Sequence, residues 1–148
     1  MQVPHKAFVV VADGRKMLFL RNEGDAVHPN LVVERVREQD NPPDREHGTD
    51  TPGRAASAGS GTARSSFEET DFHQLEEDRF AAHTADLLKK RALTNDFETL
   101  IIVAPPKTLG ELRKHYHKEV QTRLSGEIDK DLTGHSVADI EKALLAAD

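Results

Sequence analysis

The sequence contains no cysteine. A disulfide framework, a thiolate metal site and a cysteine nucleophile are therefore excluded, and this composition suits a reducing cytoplasm. Long hydrophobic runs are missing too. Asp13, Arg15 and Lys16 interrupt the apolar stretch "AFVVVA" before it reaches the length of a signal peptide or a membrane span. We therefore expect a cytoplasmic protein that does not insert into membranes.

Positive charge is also scarce, since 20 Lys and Arg face 26 Asp and Glu, which gives a formal net charge of −6. This balance argues against a general nucleic-acid coat protein, because binding to phosphates depends on neutralisation by cations. A chain of 148 residues is long enough to bury one hydrophobic core but not two. We therefore expect residues 1–148 to form a single domain.

Large apolar side chains are almost absent from residues 38–70, which are rich in Pro, Gly, Ser, Asp and Arg. The low mean hydropathy of −0.61 fits a domain that carries such an unburied segment. A segment of this kind cannot bury enough apolar surface to offset the entropy lost on ordering. We predict a long flexible loop, which serves either as a binding element or as an insertion without a function.

The chain before this loop alternates between apolar runs and turn residues. Residues 7–12 and 17–20 are joined through Asp13-Gly14, a dipeptide that tolerates the positive φ of a tight hairpin. "NLVVERVRE" then has the alternation typical of a strand near a sheet edge. The pattern predicts a three-stranded antiparallel meander.

After the loop, Asp71 and Gln74 have the spacing of a variant capping box, which predicts a helix over 71–92. One face of this helix carries apolar or small residues: Phe80, Thr84, Leu87 and Leu88. "ETLIIVAPP" is an almost wholly apolar run ended by prolines, which is typical of a strand buried on both faces at the centre of a sheet.

The C-terminal third predicts two more helices and one more strand. Thr108 and Glu111 form a capping box for a helix over 107–120, and "EIDKDL" at 127–132 indicates a short edge strand. Ser136 then opens a final helix. The resulting order is βββ-α-β-α-β-α. A meander extended by parallel crossovers gives a five-stranded mixed sheet in the order 3-2-1-4-5, a ribonuclease-H-like three-layer α/β fold.

Several stretches resemble the bacterial host-attachment protein family, namely "VVVADGRKMLFL", "GTDTPGRAASAGSGTARSSFEE", "RFAAHTADLLKK", "LIIVAPPKTLGELRKHYHKEV" and "EIDKDLTGHSVADIEKAL". This family is similar to the central domain of archaeal and eukaryotic peptide-chain release factors, which carries a glycine-rich loop before its long helix. The resemblance implies that residues 48–66 occupy the place where release factors present Gly-Gly-Gln to the peptidyl-transferase centre.

The chemistry of that loop differs from the release-factor pattern. The nearest match is Gly59-Ser60-Gly61, and no glutamine occurs between Gln39 and Gln74. Release needs a backbone that only glycine permits and a group that organises water at the ester bond. We therefore favour a protein that is not an enzyme.

A second group of candidate binding residues follows the central strand, where ligands bind on open sheets and where a helix start offers free amides. Residues 105–123 contain five Lys and Arg against two Glu, and Arg54 and Arg64 lie in the part of the loop from Thr51 to Ser66, which contains no acid. A binding surface for phosphates and a merely solvated helix face both explain this pattern. The candidate binding residues are Arg54, Gly59, Ser60, Gly61, Arg64, Lys107, Thr108, Arg113 and Lys114.

No catalytic, metal-binding or cofactor-binding residue is predicted. A two-metal nuclease needs several carboxylates, whereas Asp13 is the one acid expected at a central strand end. His115 and His117 are two residues apart, so on one helix their rings point to different faces. No Ser-His-Asp arrangement can be read from the spacing.

These observations favour a non-enzymatic, release-factor-like module that binds tRNA or the ribosome through the glycine-rich loop and the basic helix. An alternative is a factor required, directly or indirectly, for bacterial attachment to host cells, which predicts protein recovered outside the cytoplasm. A third is a divergent peptidyl-tRNA hydrolase, which predicts peptide release that is lost when Gly59-Ser60-Gly61 is deleted.

Overall fold

The computed structural model describes the backbone of residues 1–38 and 66–147, and the side chains of these residues except 66–71. Within these residues the chain forms five strands and four helices, in an order that matches the predicted βββ-α-β-α-β-α with one helix divided. In chain order they are β1 (Phe8–Ala12), β2 (Lys16–Asn22), β3 (Leu31–Glu38), α1 (Ser66–Leu93), β4 (Leu100–Val103), α2 (Pro106–Arg113), α3 (Lys118–Arg123), β5 (Leu124–Ile128) and α4 (Val137–Ala146).

The five strands form one mixed sheet in the order β3-β2-β1-β4-β5. β2 pairs antiparallel with both β1 and β3, whereas β4 pairs parallel with β1 and β5. Every residue of β1 and β4 is buried, as expected for the two apolar runs placed at the centre. The predicted α/β fold and strand order are confirmed.

Helices cover both faces of the sheet, because alternate residues of the central strands point to opposite sides. Phe8, Val10 and Ala12 of β1 join a core with α1, α2 and α3, and Val9 and Val11 join a second core with α4. The domain is therefore built in three layers. The predicted apolar face of α1 is confirmed, since Phe80, Thr84 and Leu88 are buried.

The predicted start of α1 is wrong. The helix begins at Ser66, so Asp71 lies inside it and does not cap it. Residues 67–70 contain neither Gly nor Pro, and acids near a helix start interact favourably with its dipole, so nothing in the sequence stops the helix at Asp71. The last five residues of the predicted loop at 38–70 are thus helical, Glu38 still belongs to β3, and 39–65 lies outside the described residues.

The helix predicted over 107–120 is divided into α2 and α3. α2 begins at Pro106 with Pro105 at the cap position, so Thr108 does not cap it. Proline is favoured at a first helical position because its missing N–H has no partner there in any case. α3 has its own cap, the His117 ring, whose Nδ1 accepts a hydrogen bond of 3.0 Å from the backbone N–H of Glu119.

The last strand is displaced from its predicted position. β5 covers Leu124–Ile128 rather than 127–132, because its pairing with β4 ends at the Val103–Ile128 pair. The predicted cap of α4 is confirmed, since the Ser136 hydroxyl accepts a hydrogen bond from the backbone N–H of Asp139 at 3.1 Å.

The β1–β2 hairpin forms as predicted, although the reason given for Gly14 is wrong because its φ is not positive. Instead, the Asp13 carboxylate accepts hydrogen bonds of 2.7 Å from the backbone N–H groups of both Arg15 and Lys16. Gly14 also lies close to α1: a Cβ there would lie 2.7 Å from the Glu77 carboxylate, which would have to shift.

Candidate functional site at the carboxyl edge of the sheet

The carboxyl ends of β1 and β4 meet at one edge of the sheet, because the two strands are parallel and in register. The hairpin around Gly14 follows β1 there, and the turn that leads to Lys107 follows β4. β3 ends at the same edge, since Glu38 pairs with Lys16 at the start of β2. We call this edge, with the N-terminal half of α1 beside it, the carboxyl edge.

α1 extends beyond this edge. Glu77 lies against Gly14 and forms an ion pair with Lys107, so Glu77 marks the level of the edge on the helix. Residues 66–76 precede it, and at a rise of about 1.5 Å per residue they extend roughly 16 Å further. Residues Glu38 and Ser66, which flank the undescribed 39–65 segment, therefore both lie at the end of the domain that carries Lys107.

Five of the predicted binding residues fall in that segment and lie outside the described residues: Arg54, Gly59, Ser60, Gly61 and Arg64. The other four lie on α2 or directly after it: Lys107, Thr108, Arg113 and Lys114. The geometry of a helix start leaves the backbone amides of Lys107 and Thr108 without an intrahelical acceptor. The amide of Leu109 bonds the Pro105 carbonyl instead.

Acidic residues of α1 and of α2 itself pair with these cations. Lys107 lies 3.4 Å from Glu77 of α1, and Lys114 lies 3.3 Å from Glu111 of α2. His115, just beyond α2, lies 3.5 Å from Asp78 of α1. Counting charges along residues 105–123 missed Glu77 and Asp78, because the helix that carries them is distant in sequence.

Arg113 has the closest of these contacts. Its Nη2 and Nε lie 2.5 and 3.1 Å from Oε1 of Glu127 on β5. The hydrogen bond to Glu127 and its negative charge raise the pKa of Arg113. The hydroxyl of Tyr116 donates to the other Glu127 oxygen at 3.4 Å, and burial raises the pKa of this tyrosine. Glu127 therefore holds the end of α2 to the edge strand.

Solvent reaches all three paired cations. The side chains of Lys107 and Lys114 are each 64% exposed and that of Arg113 is 55% exposed. Ion pairs at such exposure contribute about 0–1 kcal/mol, because water screens the charges and pairing restricts two long side chains. The three cations are therefore accessible from solvent, whereas Glu127 and Glu111, which pair with two of them, are only 18% and 14% exposed.

Carboxylates also meet at the opposite side of the carboxyl edge. The hydroxyl of Thr133 lies 3.0 Å from Oδ2 of Asp13 and 2.7 Å from Oδ1 of Asp131. Asp13 is thus not the lone acid that the sequence suggested. Across residues 1–38 and 72–147, however, no group of three or more His, Asp or Glu side chains is arranged to hold a metal ion.

The two neighbouring histidines have separate roles, and the helix assumed for them is wrong. They lie between α2 and α3, where His115 pairs with Asp78 and His117 caps α3. The capping role had a sequence signal, since Lys118-Glu119 after His117 places an acid in a first helical turn.

Comparison with known protein families identifies the family to which the chain belongs. Residues 6–144 match the profile of the bacterial archaeo-eukaryotic release factor family 12. The chain belongs to this family. The match covers every strand and helix of this release-factor-like domain except the last two residues of α4, and it confirms the resemblance to release factors. None of the curated proteins matches the chain.

The affiliation leaves the host-attachment role as a prediction. As for membranes, no described helix combines the length and the apolar character that crossing a bilayer requires.

Proposed function

We propose that this member of the bacterial archaeo-eukaryotic release factor family 12 is a non-enzymatic module that binds tRNA or the ribosome. The binding residues would be Arg54, Gly59, Ser60, Gly61, Arg64, Lys107, Thr108, Arg113 and Lys114. One observation carries the proposal: the residues that flank the 39–65 segment, Glu38 and Ser66, lie at the edge that presents Lys107. A single nucleic-acid partner can therefore contact the segment and α2 together.

The loop sequence supports binding without hydrolysis. Gly59-Ser60-Gly61 supplies the glycines of a glycine-rich loop, but no glutamine that could organise a water molecule occurs between Gln39 and Gln74. From Thr51 to Ser66 it contains two arginines and no acid, so its local charge suits phosphates.

The ion pairs of α2 would affect the strength and the salt dependence of phosphate binding. A phosphate that docks on Lys107 or Arg113 has to displace Glu77 or Glu127, and the overall charge of −6 opposes the approach of any polyanion. Binding should therefore be moderate and strongly reduced by salt, since each contact exchanges one carboxylate or counterion for a phosphate.

Co-sedimentation with purified ribosomes at low salt tests the proposal. The variant Arg54→Ala/Arg64→Ala/Lys107→Ala is expected to lose the association that the wild-type protein shows. The control Lys89→Ala/Lys90→Ala/Lys142→Ala removes the same charge from the C-terminal end of α1 and from α4 and should retain the association. Absence of wild-type association with ribosomes and with tRNA at any salt concentration would overturn the proposal.

Glu77→Gln gives a test in the opposite direction. The substitution keeps the size of the side chain beside Gly14 but removes the carboxylate that pairs with Lys107. If Lys107 binds a phosphate, Glu77→Gln should strengthen ribosome binding several-fold. If Glu77→Gln and Lys107→Ala both bind ribosomes as tightly as the wild-type protein does, the phosphate docks elsewhere.

A further inference from the structure

The last residues of β3 are held to α1 by an arginine and a histidine. Nη1 of Arg37 contacts Nε2 of His83, and the Arg37 guanidinium lies 5.8 Å from the centre of the Phe80 ring. Phe80 is buried in the core beneath the helix, and the backbone of Arg37 pairs with Met17 of β2. The contact therefore connects the end of an edge strand to the helix layer.

This contact exists for one protonation state of the histidine. A guanidinium has five N–H donors and no acceptor, so Nε2 of His83 has to accept the hydrogen bond. The ring must then be neutral, with its proton on Nδ1. A protonated ring would place a second cation directly against Arg37.

We propose that Arg37 and His83 form a pH-sensitive latch that fastens the end of β3 to α1 at neutral pH and releases it on acidification. The proposal concerns the described residues alone and is independent of ribosome binding.

The surrounding charges favour the neutral ring. Burial, and then the positive charge of Arg37, lower the pKa of His83, with smaller contributions from Arg35 on β3 and Lys90 on α1. Asp86 of α1 opposes the shift, but it also forms an ion pair with Lys90 at 3.1 Å. Among the described residues, these are the charged groups that act on His83 from the two elements that meet there.

The direction of the pH effect follows from the lowered pKa. The unfolded chain takes up a proton on His83 near the usual histidine pKa of about 6.5, whereas the folded chain resists protonation. The contact therefore stabilises the β3 end fully above that value. Its contribution is lost progressively as the pH falls through the lower folded-state pKa.

Hydrogen exchange on the full chain tests the latch. Protection of the Arg35 and Arg37 amides, corrected for the intrinsic exchange rate, should fall about threefold to tenfold between pH 7.5 and 5, the range expected for one hydrogen bond. His83→Gln supplies an amide oxygen in place of Nε2 and does not titrate, so its protection should stay constant. His83→Leu should show the low protection at both pH values.

Two results would overturn the latch. One is an equal fall in protection in the wild-type protein and in His83→Gln, which would assign the pH effect to another group. The other is an NMR titration in which the His83 pKa does not rise when Arg37 is changed to Gln, because the arginine charge would then not act on the ring. Equal hydrogen exchange at pH 7.5 in a distant strand such as β4 shows that the variants are folded.

Discussion

Thr84 offers a direct test of how the α1 layer packs. Its side chain is 1% exposed, and its hydroxyl is the one buried side-chain polar atom without a hydrogen-bond partner among the described residues. A buried hydroxyl without a partner costs about 1–3 kcal/mol relative to water. Valine has the same branched shape and a similar helix propensity but no hydroxyl. Thr84→Val should therefore increase the free energy of unfolding by about 1 kcal/mol.

Urea denaturation followed by circular dichroism at 222 nm measures the change, and the melting temperature should rise by about 3 °C for a chain of this size. Thr84→Ser retains the hydroxyl and loses a methyl group, so it should lower the stability by about 1 kcal/mol. Thr122→Val is the matched control, because this hydroxyl is exposed and bonds the Glu119 carbonyl at 3.0 Å. A Thr84→Val protein that is less stable than wild type would show that the hydroxyl does have an acceptor.

Three further predictions concern turns, caps and pH, and urea unfolding checks each. Lys6 has a φ of 68° in a tight turn, so Lys6→Gly should stabilise the fold by about 0.5 kcal/mol despite the loss of an exposed salt bridge, whereas Lys6→Ala should not. His117→Ala removes the α3 cap and should cost about 1 kcal/mol, most of which His117→Asn should restore. Burial alone would raise the pKa of Glu34, but hydrogen bonds from Arg21 and Arg91 lower it overall. Stability from this carboxylate is present above its unfolded pKa and lost as the pH falls through its folded pKa, so Glu34→Gln should lose less stability than wild type between pH 6 and pH 3.

The sheet could be predicted because the amino-acid composition of short stretches identifies its central strands. "FVVVA" and "LIIV" are uninterrupted apolar runs, and strands buried on both faces tolerate little else. The first run opens a hairpin that an edge strand follows, while helical patterns surround the second run. With these elements given, connection rules leave few arrangements, and the order 3-2-1-4-5 follows.

The helix boundaries depend on contacts that periodicity does not record. Leu109, Leu112, Tyr116 and Val120 have helical spacing, yet the helix stops after Arg113. Glu127 of β5 holds Arg113 and Tyr116, and the His117 ring starts a new helix. Neither the distance to β5 nor the ring nitrogen as an acceptor is visible in a one-dimensional pattern.

The charge of the candidate site shows the same limit and changes what binding would require. Along residues 105–123, five cations outnumber two acids, and a linear count predicts a basic surface. In the folded domain three more acids join them from α1 and β5, namely Glu77, Asp78 and Glu127, so the region is formally neutral. A neutral surface attracts phosphates only at short range, because long-range steering depends on net potential. If the domain binds RNA, Arg54 and Arg64 in the acid-free stretch from Thr51 to Ser66 would have to provide the first attraction, and α2 would act after contact by exchanging carboxylates for phosphates.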